Sequence, residues 1–149
     1  MARTVSDASI KAMLAREEAL FLQRNPISKK LSEDAAKHWL KGVPMHWMVD
    51  WGTPFPLFVA KAQGVDVTDA DGNGYIDFCL GDTGAMFGHS PPAVVETLTR
   101  EAANGFTTMM PSADAVKVGQ LLQDRFGLSH WQVTATASDA NRAVIKWCR

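Results

Sequence analysis

Long hydrophobic runs are missing from this 149-residue sequence. No apolar stretch approaches the ~20 residues that cross a bilayer, so no membrane span is expected. Basic blocks are missing too. Lys plus Arg number 15 against 16 Asp plus Glu, and neither the electrostatic footprint of a nucleic-acid binder nor a polybasic membrane patch is present. Cysteine is scarce, with Cys79 and Cys148 the only two. They could form one bridge, but there is no disulfide framework, and two reduced thiols in a cytosolic protein is the simpler reading. Met1 to Ile10 lack the apolar stretch of a signal peptide, while Asp7, Glu17 and Glu18 do not suit an acid-poor transit peptide. The cytoplasm is therefore the expected compartment. What remains is 46% hydrophobic and 21% charged, the balance of a folded globular chain.

The pattern changes three times along the chain. Ile10, Met13, Leu14 and Phe21 fall at helical spacing; Ser6 or Asp7 can cap the start and Asn25-Pro26 the end. A second helix is expected from about Ser32 to Leu40, closed by Gly42. Lys41 to Pro56 is then broken by Gly42, Pro44, Gly52, Pro54 and Pro56, with Trp47, Met48 and Trp51 between them. A loop carrying such large side chains is either packed over a core or lines a ligand cavity. Residues 1–56 thus form a helical arm with an aromatic loop. Residues 57–80 read as an antiparallel meander, with strands Leu57 to Ala62, Val65 to Thr68 and Tyr75 to Cys79 separated by Gly64 and by Asp71-Gly72-Asn73-Gly74.

From residue 81 to 149 the expected order is helix, helix, strand, helix. Ser90-Pro91-Pro92 opens the first helix, with Val94, Val95, Leu98 and Ala102 inside and Asn104-Gly105 at its end. Ser112 caps the second, which buries Val116, Leu121, Leu122 and Phe126 and stops at Gly127. A strand over Trp131 to Ala135 feeds a last helix from about Ser138 to Trp147. This order opens an α/β layer, but one strand is too few for its sheet. The expectation is a chain that holds only the start of that domain.

Three segments could carry chemistry. Asp69, Asp71, Asn73 and Asp77 occupy positions one, three, five and nine of a calcium-loop pattern, with Gly74 at six. Position twelve is Leu80, where a bidentate Glu is needed, and the flanks alternate like strands. A hairpin turn using Asp and Asn for local hydrogen bonds is the better reading. The second is Thr134 to Asn141. The free amides and positive dipole end of a helix suit a phosphate there, with Thr136 and Ser138 adding hydroxyls; an ordinary helix capped by Ser138 satisfies the same spacing. The third is the glycine-rich Gly81 to His89, which allows close backbone approach to a ligand but has no Gly-Lys-Ser/Thr ending. His89 reads as a structural hydrogen-bonder. His38, His46 and His130 lack partners at ligand spacing, so no metal site is expected.

Several stretches, in this order, resemble class III pyridoxal-phosphate aminotransferases of the glutamate-1-semialdehyde aminomutase branch. They are Asn25-Pro26-Ile27-Ser28, Lys41-Gly42-Val43-Pro44, Asp69 to Phe78, Gly88-His89-Ser90-Pro91 and Thr136 to Val144. The resemblance covers nearly the whole chain from residue 25. It implies the α/β class: the amino-terminal part of a type I transferase fold, with helical arm, β meander and the start of the large pyridoxal 5'-phosphate (PLP) domain. It implies amino transfer between an amino-acid or amine donor and a keto acceptor, or an aminomutase reaction, in a homodimer. The family's phosphate-holding Ser-Gly-Thr-Glu-Ala-Asn turn falls on Thr136, Ala137, Ser138, Asp139, Ala140 and Asn141. Ala137 stands where the family has Gly, which would strain a turn needing positive φ. Substrate contacts fall on Met45 and His46 and on Asp82 and Thr83. The reactive lysine, the pyridinium-pairing Asp and the stacking aromatic lie further along in the family. None of Lys11, Lys29, Lys30, Lys37, Lys41, Lys61, Lys117 and Lys146 has that lysine's context, so no catalytic residue is assigned. A short, non-catalytic chain that uses its unburied apolar faces to bind a partner is the competing expectation.

Overall fold

Helix ending and helix starting coincide at Asn25-Pro26. The computed structural model describes residues 6–149; in it α1 runs Asp7–Arg24 and α2 follows at once as Pro26–Ala35. Ser6 caps α1, its hydroxyl accepting from the Ser9 amide at 3.2 Å. Asn25 closes it by donating from Nδ2 to the Phe21 carbonyl at 2.8 Å. The second helix thus begins six residues before the expected Ser32 and ends before the expected Leu40. Proline at the first helical position explains the early start, because its fixed φ is preorganised and its missing N–H is no loss there. Beyond α2 the chain makes two short 3-10 turns, Leu40–Gly42 and His46–Val49.

The meander is present, with order β1-β2-β3 in one antiparallel sheet. Its strands are β1, Val59–Gln63, β2, Asp66–Asp69, and β3, Gly74–Ile76. Val59 pairs with Asp69 and Gln63 with Asp66, with an irregularity between Val59 and Lys61; Val67 pairs with Tyr75 across the second ladder. β3 stops three residues before the expected Cys79. There the Asp77 carboxylate accepts from the amides of Cys79 and Leu80, both at 2.9 Å, and a carboxylate that takes two successive amides turns the chain out of the ladder.

The residues divide into two units, the first ending at Arg100 and the second starting at Glu101. In the first, the best-buried side chains are mostly polar: Ser28, Asn25 and Asp69 are at most 2% exposed, and Val43 is the one buried hydrophobic among the described residues. The three polar ones gather where the β2–β3 turn meets the start of α2. Phe21 and Phe55 add a tilted ring contact at 5.0 Å.

Helix α3 runs Pro92–Ala102. Ser90 does not cap it; its hydroxyl donates to the Ala62 carbonyl at 3.1 Å, and the Pro91 carbonyl accepts the first helical amides. Helix α4, Asp114–Phe126, has Ala113 at its cap position in place of Ser112, which contributes only its carbonyl, and it ends at Gly127 with φ of 73°. Trp131 to Ala135 is not a strand. Its β-forming residues have no neighbouring strand, and strand preference without a partner does not make a sheet. Trp131 instead packs on Phe126 at 5.4 Å and donates its indole N–H to the Leu128 carbonyl at 2.9 Å. Helix α5 runs Ala137–Trp147. Of the residues expected inside, Leu98 on α3 and Val116, Leu121 and Phe126 on α4 are more than half exposed, whereas Leu122 is partly buried; Val144 and Ile145 on α5 are exposed as well. Cys79 and Cys148 are both free, exposed thiols. No helix among the described residues is long and apolar enough to cross a membrane.

Candidate functional site

The Asp69–Tyr75 turn uses its carboxylates on the protein itself. Asp69 Oδ1 accepts from the amides of Asp71 and Asn73 at 3.0 and 2.8 Å, and Oδ2 from Asn73 Nδ2 and Tyr75 Oη at 3.0 and 2.9 Å. Burial alone would raise the Asp69 pKa, but these bonds together outweigh it and hold the carboxyl below its usual range. Asp71 reaches outward, accepting from the α2 amides of Ile27 and Ser28. Burial opposes its charge as well, and its bonds to Ser28 and Ile27 win. Tyr75 is pushed the other way: burial and the facing Asp69 carboxylate raise its phenol.

The glycine-rich segment leaves the sheet at the other end of the β2–β3 ladder, where the Asp77 amide donates to the Val65 carbonyl. His89 Nε2 lies 2.6 Å from Asp77 Oδ2. This hydrogen bond, with the Leu80 and Cys79 amides, holds Asp77 below the usual carboxylate range. His89 also forms a two-way backbone bridge with Gly64, at 2.8 and 2.7 Å. Gly88 has φ of 85° and sits so close that an added Cβ would lie 3.2 Å from the Gly64 backbone. Asp82 and Thr83 are exposed on the intervening turns, and Asp82 has φ of 59°.

Met45 and His46 line a cavity of about 460 Å³ together with Trp39, Leu40, Val43, Pro44 and Trp47. Asp82 and Thr83 are not among its walls. The aromatic loop therefore encloses space as well as packing: Val43 is buried, while Trp39 and Trp47 remain about half exposed. Trp39 and Leu40 escaped the sequence reading because they sat in an expected helix; the early end of α2 brings them to the cavity.

The second unit holds the expected phosphate turn. Thr136, not Ser138, is the cap of α5: its Oγ1 accepts from the Asp139 amide at 3.1 Å and donates to Asp139 Oδ2 at 2.9 Å. Arg142 Nη1 approaches the same carboxylate at 3.7 Å. Thr136, Ala137 and Ser138 are all exposed. Ala137 is the first helical residue and is not among the positive-φ residues, so alanine there carries no left-handed strain. Among the described residues, the amides of Ala137 and Ser138 and the Ser138 hydroxyl have no partner within the chain. Two free amides and a hydroxyl at the positive end of an eleven-residue helix are a donor set that fits a phosphate. The Asp139 charge is its one electrostatic opponent, and Thr136 and Arg142 already engage it. The described residues contain no group of three or more His, Cys, Asp or Glu able to hold a metal ion.

The fold agrees with what the chain is similar to. Residues 48–149 match the family described as Aminotransferase class-III. A glutamate-1-semialdehyde-aminomutase from Pseudomonas aeruginosa PAO1 superposes with a TM-score of 0.89 at 46% identity, covering 97% of this chain and 32% of that one; a variant of it is known in complex with PMP. The glutamate-1-semialdehyde 2,1-aminomutase of Methanocella arvoryzae is 38% identical over 97 residues, 64% of this chain and 23% of the relative. A β-phenylalanine aminotransferase from Variovorax paradoxus superposes with a TM-score of 0.82 at 25% identity, over 92% of this chain and 32% of that one. The chain belongs to the class III aminotransferase family and carries, in the α/β class, part of the fold of these PLP-dependent enzymes. It spans about a quarter to a third of the length of the relatives it matches.

Proposed function

We propose that this chain is the amino-terminal part of an enzyme that transfers an amino group with PLP, inactive by itself, and that the turn opening α5 holds the cofactor phosphate. The single observation that carries the reading is the donor set at Ala137 and Ser138, exposed and without internal partners, in a chain of this family. When bound, PLP supplies an electron sink for charge developing beside the transferred nitrogen. This chain's own part is to bind and orient. The Ala137 and Ser138 amides and the Ser138 hydroxyl donate to phosphate oxygens, while Thr136 keeps α5 capped and turns the Asp139 carboxylate aside. Met45, His46, Asp82 and Thr83 are the proposed substrate contacts. The arm over 1–56, the meander over 57–80 and the opening of the PLP domain over 81–149 are the parts the reading assigns to this chain.

The identity to relatives named as aminomutases favours glutamate-1-semialdehyde as the compound to try first. An amino-acid or amine donor with a keto acceptor is the transaminase form of the same reading. The exposed stripes on α3, α4 and α5 support burial against further protein, and a homodimer is the proposed assembly. The free thiols support the cytoplasm as its compartment. The test is turnover of a PLP-loaded protein that joins this chain to the lysine-bearing region of the family, with glutamate-1-semialdehyde alone and with amino donors paired to keto acids, read by mass spectrometry. A mutase converts the first without a second keto acid; a transaminase needs the pair. No product under either condition overturns the reading.

A further inference from the structure

The segment between β3 and α3 is strained and apolar on its outside. Leu80, Gly81 and Asp82 follow one another with φ of 50°, 58° and 59°, and Phe78 and Phe87 are each 93% exposed. Two non-glycine residues in the left-handed region persist only where the surroundings over-determine them. Inside the segment the turns are short-range: Gly84 N to Gly81 O, Ala85 N to Leu80 O and Gly88 N to Ala85 O, at 2.8–3.0 Å. Its two ends meet through one side-chain pair. Asp77 Oδ1 takes the Cys79 and Leu80 amides at the entry, and Asp77 Oδ2 faces His89 Nε2 at the exit. A carboxylate is acceptor-only, so the imidazole presents an N–H on Nε2. Both side chains are about one-fifth exposed, which shields the bond from water.

We propose that Asp77 and His89 are positioning residues that clasp the 78–88 segment and so fix Asp82 and Thr83 against the substrate. The clasp spans twelve residues with one charge-assisted bond and leaves the interior of the segment free to carry specificity. The inference rests on the proposed role of Asp82 and Thr83 in substrate binding.

The test compares His89→Gln, which keeps a donor near the Nε2 position, with His89→Phe, which keeps a flat ring and loses the donor. Amide exchange of residues 79–87 is measured in each protein, with exchange over β1 and β2 as the control for folding. KM and kcat are measured in the protein that joins this chain to the lysine-bearing region, with whichever amino substrate it turns over. His89→Phe is expected to speed exchange of the segment and raise KM, each roughly tenfold for one lost charge-assisted bond, with kcat nearly unchanged. His89→Gln is expected to recover most of both. Unchanged exchange and KM in His89→Phe would overturn the clasp, and so would equal losses in the two variants, since the ring would then matter and the donor would not. If the lysine-bearing protein turns over no amino substrate, the proposed function fails, and the exchange comparison alone decides whether the clasp exists. Unfolding of His89→Phe with a stable His89→Gln that matches wild-type exchange would still support the donor's role.

Discussion

Asp71 caps a helix that lies more than forty residues earlier in the chain: its two carboxylate oxygens accept from the amides of Ile27 and Ser28 at 2.6 and 2.9 Å. Asn25 occupies the cap position of α2 but makes no side-chain cap bond there. The turn between β2 and β3 therefore supplies what the helix lacks locally, and Asn73 adds a second tie by donating to Asn25 Oδ1 at 3.1 Å. Replacing Asp71 with Ala is expected to lower the thermal midpoint of the first unit and to speed exchange of the Ile27 and Ser28 amides. Asn, which keeps one acceptor, is expected to do less harm. Equal stability in Ala and wild type would show that α2 needs no such cap.

Acid should loosen both ends of the β2–β3 ladder. Asp69, Asp71 and Asp77 all have carboxyls held below the ordinary value of 3.8 in the folded protein. A depressed folded pKa means the stability is present above that ordinary value and is lost as pH falls below it through the folded values. Circular dichroism against pH should therefore hold level down to about pH 4 and fall below it. Asp71→Asn should reduce the size of the acid loss; an identical acid profile in that variant would contradict the assignment.

Tyr75 is the one tyrosine in the sequence, so phenolate absorbance reports it alone. Burial and the Asp69 carboxylate raise its pKa above the ordinary 10.0. With a raised folded value, its contribution is complete below the unfolded pKa and disappears as pH climbs through the folded one. The expected spectrum shows ionisation later than in a tyrosine peptide, moving back toward the peptide value in Asp69→Asn.

Gly88 combines φ of 85° with a Cβ position 3.2 Å from the Gly64 backbone. Gly88→Ala should cost roughly 1–2 kcal/mol from the left-handed conformation alone, with the close approach adding to it. Gly81→Ala, where φ is 58° and nothing lies within 4 Å, should show the conformational cost without the contact. The difference between their urea midpoints measures the Gly64 approach.

Local signals made the meander legible. Gly64 and the Asp71 to Gly74 cluster mark both turns, and all three strands form within a few residues of their expected positions. Helix α1 is legible for the same reason. The start of α2 has a local signal in Pro26, but the Asp71 cap on its first amides is remote in sequence. Trp131 to Ala135 reads as a strand on composition and fails for want of a pairing neighbour. The His89–Asp77 bond is invisible too: twelve residues of glycine-rich chain give no periodicity to follow. At the start of α5, the hydroxyl-rich spacing indicates a capped helix start, but its expected cap, Ser138, is not the one used. The structure chooses Thr136 and thereby leaves the Ser138 hydroxyl uncommitted.

The proposed grip of the α5 start on a phosphate can be isolated from helix capping with Thr136→Asp. Asp is as good a cap as Thr, so α5 should keep its helicity, while the new charge opposes a dianion at the adjacent amides. The decisive measurement is the affinity of wild-type and Thr136→Asp protein for PLP and for pyridoxal, which lacks the phosphate. The expected result is PLP binding weakened roughly tenfold or more by the substitution, with pyridoxal binding unchanged. Equal PLP affinities in the two proteins, or equal losses for both ligands, would contradict a phosphate held at Thr136 to Ser138.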